Sequence, residues 1–150
     1  RRMLGRKTDR IMHGAACVIA GNRYLAARAR QAGAARIEII PTVVDEQRYA
    51  ATSPADEQPP VIGWVGSPAT EHYMLDIRQV LEQVCARHHA RLLLVGARAE
   101  TANQFDGITP EVVAWSEASE AAMIARMDIG IMPLLDRPWV RGKRGYKIMQ

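Results

Sequence analysis

The sequence predicts an α/β fold built on parallel sheets, and two observations carry that expectation. Short apolar runs rich in β-branched residues recur at 16–20, 36–41, 61–65, 91–95, 111–115 and 128–133. Helical apolar spacing fills most of the intervals between them, and strands that alternate with helices in this way are the mark of βαβ units. The composition agrees: 150 residues, 48% hydrophobic, 24% charged and 5% aromatic, describe an ordinary globular chain rather than a disordered or collagen-like one. A chain of this length holds one domain or parts of two.

Taken in order, an opening helix with Leu4, Ile11 and Met12 on one stripe precedes the strand at 16–20. A helix over 23–32 and a strand over 36–41 then complete one βαβ unit. Residues 51–60, ATSPADEQPP, have no apolar period and are rich in proline and acid, so they read as a linker. The expected organisation is therefore 1–51 as the end of one domain, 52–60 as linker and 61–150 as the first part of another. The chain starts at Arg1 and stops at Gln150 inside an expected helix, so both ends are expected to be cuts.

The second series opens with the strand at 61–65 and a long helix over 68–88. In that helix Met74, Ile77, Leu81 and Val84 form a stripe expected to face a sheet, with Asp76, Arg78, Glu82 and Arg87 outward. Ser67 is expected to cap it, with Pro68 in its first position. Strands at 91–95 and 111–115, a helix over 117–127 capped by Ser116, a strand at 128–133 and a last helix near Gly142 complete the series.

The formal net charge of +4 is unevenly spread. Residues 1–10 carry +4 and residues 137–150 carry +5, which leaves the middle at −5. An acidic middle with a single Phe argues against nucleic acid as a partner, because such binders interleave cations with stacking aromatics. Five cations within 137–147, beside glycines and an aromatic, suggest a compact anion such as phosphate, the alternative being a solvated basic loop. The segment 1–12, basic with an apolar stripe, is either a docked scaffold helix or a contact with an anionic membrane surface. Cys17 and Cys85 lie in apolar stretches and read as reduced, buried thiols. With no spanning run and no signal-peptide pattern, a cytoplasmic location is expected, with peripheral contact at the inner membrane surface as the variant.

In open parallel sheets ligands bind outside the carboxyl ends of the strands. Those ends carry Gly21-Asn22, Thr42, Gly66-Ser67, Gly96, Trp115-Ser116 and Pro133. Gly66, Ser67 and Thr70 read either as a phosphate or sugar cradle or as a capped βα turn. Trp115 reads either as a ligand contact or as an inward core residue. Neither GxGxxG nor GxxxxGK[ST] occurs, which removes the usual signals of dinucleotide oxidoreduction and nucleotide hydrolysis. His13, His72, the pair His88-His89 and the distant cysteines lack metal-ligand spacing, and neither a serine elbow nor a Cys/His motif appears. Neither a metal nor a cofactor is expected.

Several separated motifs, VIAGNRYLA (18–26), IIPTVVDEQRY (39–49), VIGWVGSPAT (61–70), DIGIMPL (128–134) and RGKRGYKIMQ (141–150), in this order resemble the bacterial group 1 glycosyltransferases. These are family-four retaining enzymes of GT-B type, with two Rossmann-like domains facing a cleft. The resemblance implies transfer of a sugar from a nucleotide-diphosphate sugar to a glycan or lipid-linked acceptor without a metal, in polysaccharide biosynthesis. It makes 1–51 the end of the acceptor-side domain and 61–150 the start of the donor-side domain, a piece expected to be inactive alone. By the resemblance Lys143, Arg144 and Lys147 would stabilise the departing diphosphate, with Gly145 permitting close approach and Tyr146 flanking. Gly66, Ser67 and Thr70 would lie by the donor phosphates or sugar, Trp115, Ser116 and Glu117 by the base, and Asn22 and Thr42 on the acceptor side. The family's two glutamates eight positions apart correspond here to Gly142 and Gln150, and its basic pair after the first donor-domain strand is replaced by GSPAT. Gln150 can hydrogen-bond at the donor but carries no charge. These departures motivate the alternative of a non-catalytic nucleotide-sugar or phosphate-binding module.

Overall fold

The computed structural model describes residues 2–45, 47–49 and 59–143. Most of the expected linker, and the end of the chain from 144 onward, lie outside them. The chain divides into two compact units, one within Arg1–Val43 and Asp136–Tyr146, the other chiefly within Val44–Leu135.

The first unit opens with α1 (Arg2–Gly14), followed by β1 (Val18–Ala20), α2 (Arg23–Gln31) and β2 (Ile37–Ile39). The strands pair in parallel, Val18 opposite Ile37 and Ala20 opposite Ile39, so the expected βαβ unit is present. Asn22 starts α2 as its N-cap: its Oδ1 accepts from the Leu25 N–H at 2.8 Å, which satisfies one of the donors a helix start leaves unpaired. Ala26 and Ala29 are the buried face of α2, small enough for the helix to lie close on the two strands. A four-residue helix, Pro138–Arg141, belongs to the same unit, where a helix had been expected from about Gly142.

The second unit is a four-stranded, fully parallel sheet of β3 (Val61–Val65), β4 (Arg91–Val95), β5 (Glu111–Val113) and β6 (Ile129–Ile131). Its order is β5-β4-β3-β6, a Rossmann-like arrangement in which the first strand is central and the fourth lies on its other side. Val61 to Val65 pair with Arg91 to Val95, and Ile62 to Trp64 with Ile129 to Ile131. Residues alternate between faces along a strand. Leu92 and Leu94 accordingly join Ile62, Trp64, Met74, Leu81, Cys85 and Phe105 on one side, while Leu93 and Val95 join Val61, Val65, Met123 and Met127 on the other. Gly63 is needed on the second face, since a Cβ there would lie 2.0 Å from the Met127 sulfur.

The long helix expected over 68–88 is broken. Residues 68–70 form a turn, and the helical part divides into a short α3 (Glu71–Leu75) and α4 (Arg78–His88). Asp76 and the β-branched Ile77 at the break are poor helix formers, and Ile77 has φ −109° and ψ 13°, outside the helical region. The break shifts the buried stripe: Met74 and Leu81 are buried as expected, but Val84 is 36% exposed and Cys85, 2% exposed, takes the inward position. Arg78 and Glu82 are engaged as well, the Arg78 guanidinium donating to the Gln104 carbonyl and Glu82 Oε1 accepting from the Asp106 N–H. Both partners flank the end of a 3-10 segment, Ala99–Gln104, that the periodicity does not reveal. The last helix of this unit, α5 (Glu117–Ile124), begins where expected, with Ser116 Oγ accepting from the Ser119 N–H. Among the described residues no helix is long and apolar enough to cross a membrane.

Candidate functional site

The carboxyl ends of β3, β4 and β5 lie side by side in the second unit, and the chain reverses its direction of travel across the sheet between β3 and β6. Such a switch point opens a crevice at the strand ends. The ladder extends one residue past two strands, with Gly66 N donating to the Val95 carbonyl and Gly96 N to the Val113 carbonyl. Gly96 has φ +82°, and a Cβ on it would meet the Gly66 carbonyl oxygen at 2.4 Å. Only glycine fits both the turn and the contact. At Gly66 the space a side chain would need is filled by the Trp64 indole, with ring atoms 1.9 to 2.7 Å from an ideal Cβ. The close approach at this glycine is therefore made by the protein's own ring.

Ser67 is exposed, and its side chain and backbone close a turn with Thr70. Thr70 Oγ1 donates to the Ser67 carbonyl at 3.1 Å and accepts from the Ser67 N–H at 3.2 Å, while the Thr70 and Glu71 N–H groups donate to that same carbonyl. Local bonding of this kind competes with helix formation. It delays the helix to Glu71, so Ser67 closes a turn where an N-cap with Pro68 in the first helical position had been expected. Glu71 is 5% exposed and fully engaged: it accepts from the Arg98 N–H, from the Arg98 guanidinium and from Thr101 Oγ1, itself 1% exposed. A buried carboxylate needs such partners. The result is a bracket that ties the turn after β4 to the start of α3.

Trp115 is 50% exposed, so it is not an inward core residue. Its Nε1 donates to Glu120 Oε1 at 3.0 Å, and Tyr49 Oη donates to the other oxygen at 3.1 Å. Arg48 adds a guanidinium 3.7 Å from that carboxylate, and it donates to the Glu117 carbonyl and to Glu117 Oε1. Glu120 thus fixes the indole by consuming its single donor, leaving a ring face and edge for any ligand. Ser116 is spent as the α5 cap.

In the first unit Asn22 is both cap and tether, its Nδ2 donating to the carbonyls of Arg141 and Lys143 at 3.3 and 3.5 Å. Thr42 is partly buried. Of the expected cations, Arg141 is held by both oxygens of Asp136 at 2.6 Å, which pulls the Asp136 carboxyl below its usual range through that hydrogen bond. Lys143 is partly buried, with its N–H donating to the Val140 carbonyl at 2.9 Å. Arg144, Gly145, Tyr146, Lys147 and Gln150 lie outside the described residues. The structure thus brings Gly66, Ser67, Thr70, Trp115, Ser116 and Glu117 onto one unit, and Asn22, Thr42 and Lys143 onto the other.

Arg48, Tyr49, Glu71, Arg98, Thr101 and Glu120 were not singled out by sequence reasoning. Glu120 sits four residues after a capping serine, an ordinary place for an acid near a helix start. Nothing local announces that it is 9% exposed or that a tyrosine 71 positions earlier reaches it. Among the described residues no group of three or more His, Cys, Asp or Glu could hold a metal ion. The chain matches no protein-family model, and a search of curated proteins returns no match to it.

Proposed function

We propose that the second unit binds the nucleotide-diphosphate sugar of a retaining, metal-independent glycosyltransferase of the group 1, GT-B kind, acting on a glycan or lipid-linked acceptor. The observation that carries this reading is the strand order β5-β4-β3-β6, with Gly66-Ser67 leaving the central strand at the switch point and an exposed, oriented Trp115 at the end of β5. The indole offers a flat surface for a base, since stacking needs no donor. The exposed Ser67 and the Thr70 turn offer hydroxyls to phosphate or sugar. Lys147 would stabilise charge on the diphosphate as it leaves, with Gln150 as a further donor contact; Asn22 and Thr42 would belong to the acceptor side.

Titration of the chain with UDP, GDP and their sugars, followed by calorimetry and by amide shifts at Gly66, Ser67, Thr70 and Trp115, tests the reading. Saturable binding of a nucleoside diphosphate, weakened by Lys147→Ala and less salt-dependent in that variant, is expected. Absence of binding by every nucleoside diphosphate overturns it. One observation favours a second reading, a binding module without turnover: Glu71, Glu117 and Glu120 at this edge each already accept hydrogen bonds from protein groups. Release of nucleoside diphosphate from a nucleotide sugar by the full-length gene product decides for the transferase, and binding without release for the module.

A further inference from the structure

We propose that the outward face of α1 docks the first unit on an anionic lipid bilayer. This goes beyond the nucleotide-sugar reading and does not depend on it. At 3.6 residues per turn, Gly5, Thr8 and Met12 share one side of α1, and these three line an apolar cavity of about 400 Å³ together with Val18, Leu25 and Ala29. The opposite side carries Arg6, Arg10, Lys7 and Ile11 across an arc of about 140°. All four are exposed, Ile11 at 63%.

The charge of the surrounding unit points the same way. Residues 1–43 hold nine Lys and Arg against Asp9 and Glu38, a net +7. Both acids are already matched, Asp9 by Arg28 and Glu38 by Arg36. The Asp9–Arg28 pair joins the flank of α1 to α2.

This combination separates a lipid surface from nucleic acid. Single-stranded nucleic acid is gripped by successive aromatic side chains, and residues 1–43 contain Tyr24 alone of Phe, Trp and Tyr. A duplex backbone asks for cations and has no use for an isoleucine set among them. An anionic bilayer rewards both: cations meet the headgroups, and the aliphatic side chain enters the boundary with the acyl region.

Co-sedimentation of the full chain with phosphatidylcholine vesicles, with and without 30 mole per cent phosphatidylglycerol (roughly the anionic fraction that gives a strong surface potential), tests the proposal. Binding is expected only with the anionic lipid, and to fall as salt is raised. The double variant Lys7→Glu/Arg10→Glu should lose more than about tenfold in partitioning, since each juxtamembrane cation contributes about fivefold. Ile11→Ser, which alters no charge and touches an exposed position, should also weaken binding while leaving the circular dichroism spectrum unchanged. Absence of binding, or equal binding to both vesicles, overturns the proposal. So does tighter binding to an RNA or DNA duplex that ignores Ile11→Ser and is lost with the charge reversal.

Discussion

The two units are built from the same strand–helix–strand grammar and end in opposite physical states. In the second, the two inner strands β3 and β4 of a four-stranded sheet are buried on both faces, with Leu93, Leu94 and Val95 at most 1% exposed, and apolar exposure such as that of Ile129 at 53% is confined to the edge strands. In the first, two three-residue strands leave Ile19 at 53% and Ile39 at 44%. The charges divide as well: residues 1–43 carry +7, while residues 44–135 hold six Lys and Arg against thirteen Asp and Glu, a net −7. The difference shows that local pattern specifies a βαβ unit but the width of the sheet decides how much large apolar surface it buries: the first unit buries Ala20, Ala26 and Ala29, the second whole leucine and valine side chains. It also shows two uses of acid: in the second unit Glu71 and Glu120 are buried brackets, whereas in the first Asp9 and Glu38 balance surface arginines.

The largest expected effect measures that contrast directly. Leu94→Ala removes a side chain with no exposure from the middle of β4 and should cost about 2–5 kcal/mol, the range for large-to-small changes in a core. Ile19→Ala, in the equivalent alternation of β1, should stay within about 0.5 kcal/mol, as exposed substitutions do. Urea denaturation of the two variants gives both numbers. Equal costs would mean that β1 is covered in solution.

A smaller effect compares the helix starts. Ser116→Ala deletes the oxygen that accepts from the Ser119 N–H, and Asn22→Ala deletes the one that accepts from Leu25. Each should lower stability by about 1 kcal/mol. Asn22→Ala should have a second consequence that Ser116→Ala does not share, because it also withdraws the amide donated to the carbonyls of Arg141 and Lys143. Hydrogen exchange at Val140 to Lys143 should rise in the Asn22 variant alone.

Much of the architecture was legible because it is written in short-range pattern. Val61 to Val65 and Arg91 to Val95 are continuous apolar runs, and the structure forms strands over those same residues. The Ser116 cap was legible for the same reason, since a capping serine acts within three residues. The break at Asp76 and Ile77 was not, because an apolar stripe at helical spacing looks alike whether or not the helix pauses, and the pause exchanged Val84 for Cys85 in the core. The candidate site was legible as a set of strand ends but not as a set of contacts. That Trp64 would fill the space at Gly66, or that Tyr49 and Trp115 would share Glu120, follows from pairings distant in sequence that no local window contains.

The smallest effect is electrostatic and can be checked by pH. Glu111 opens β5, and its Oε2 accepts from the Arg126 guanidinium at 2.6 Å. That hydrogen bond holds the carboxyl below its ordinary value against the opposing effect of partial desolvation, and the charges of Arg126 and Arg91 add to the lowering. A carboxyl whose folded value is depressed stabilises the fold above its unfolded value and loses that contribution as the pH falls through the folded one. The pair should therefore contribute at neutral pH and fade below the ordinary glutamate value of 4.5. Both side chains remain substantially exposed, at 49% and 39%, so solvent screening keeps the contribution to a fraction of about 1 kcal/mol. Arg126→Gln should lower stability slightly at neutral pH, and by progressively less as the pH falls below 4.5 and through the depressed folded value of the Glu111 carboxyl. High salt should shrink the neutral-pH difference further. A loss that stays constant from neutral to acid would assign the role of Arg126 to the packing of its aliphatic stem over the sheet edge rather than to its charge.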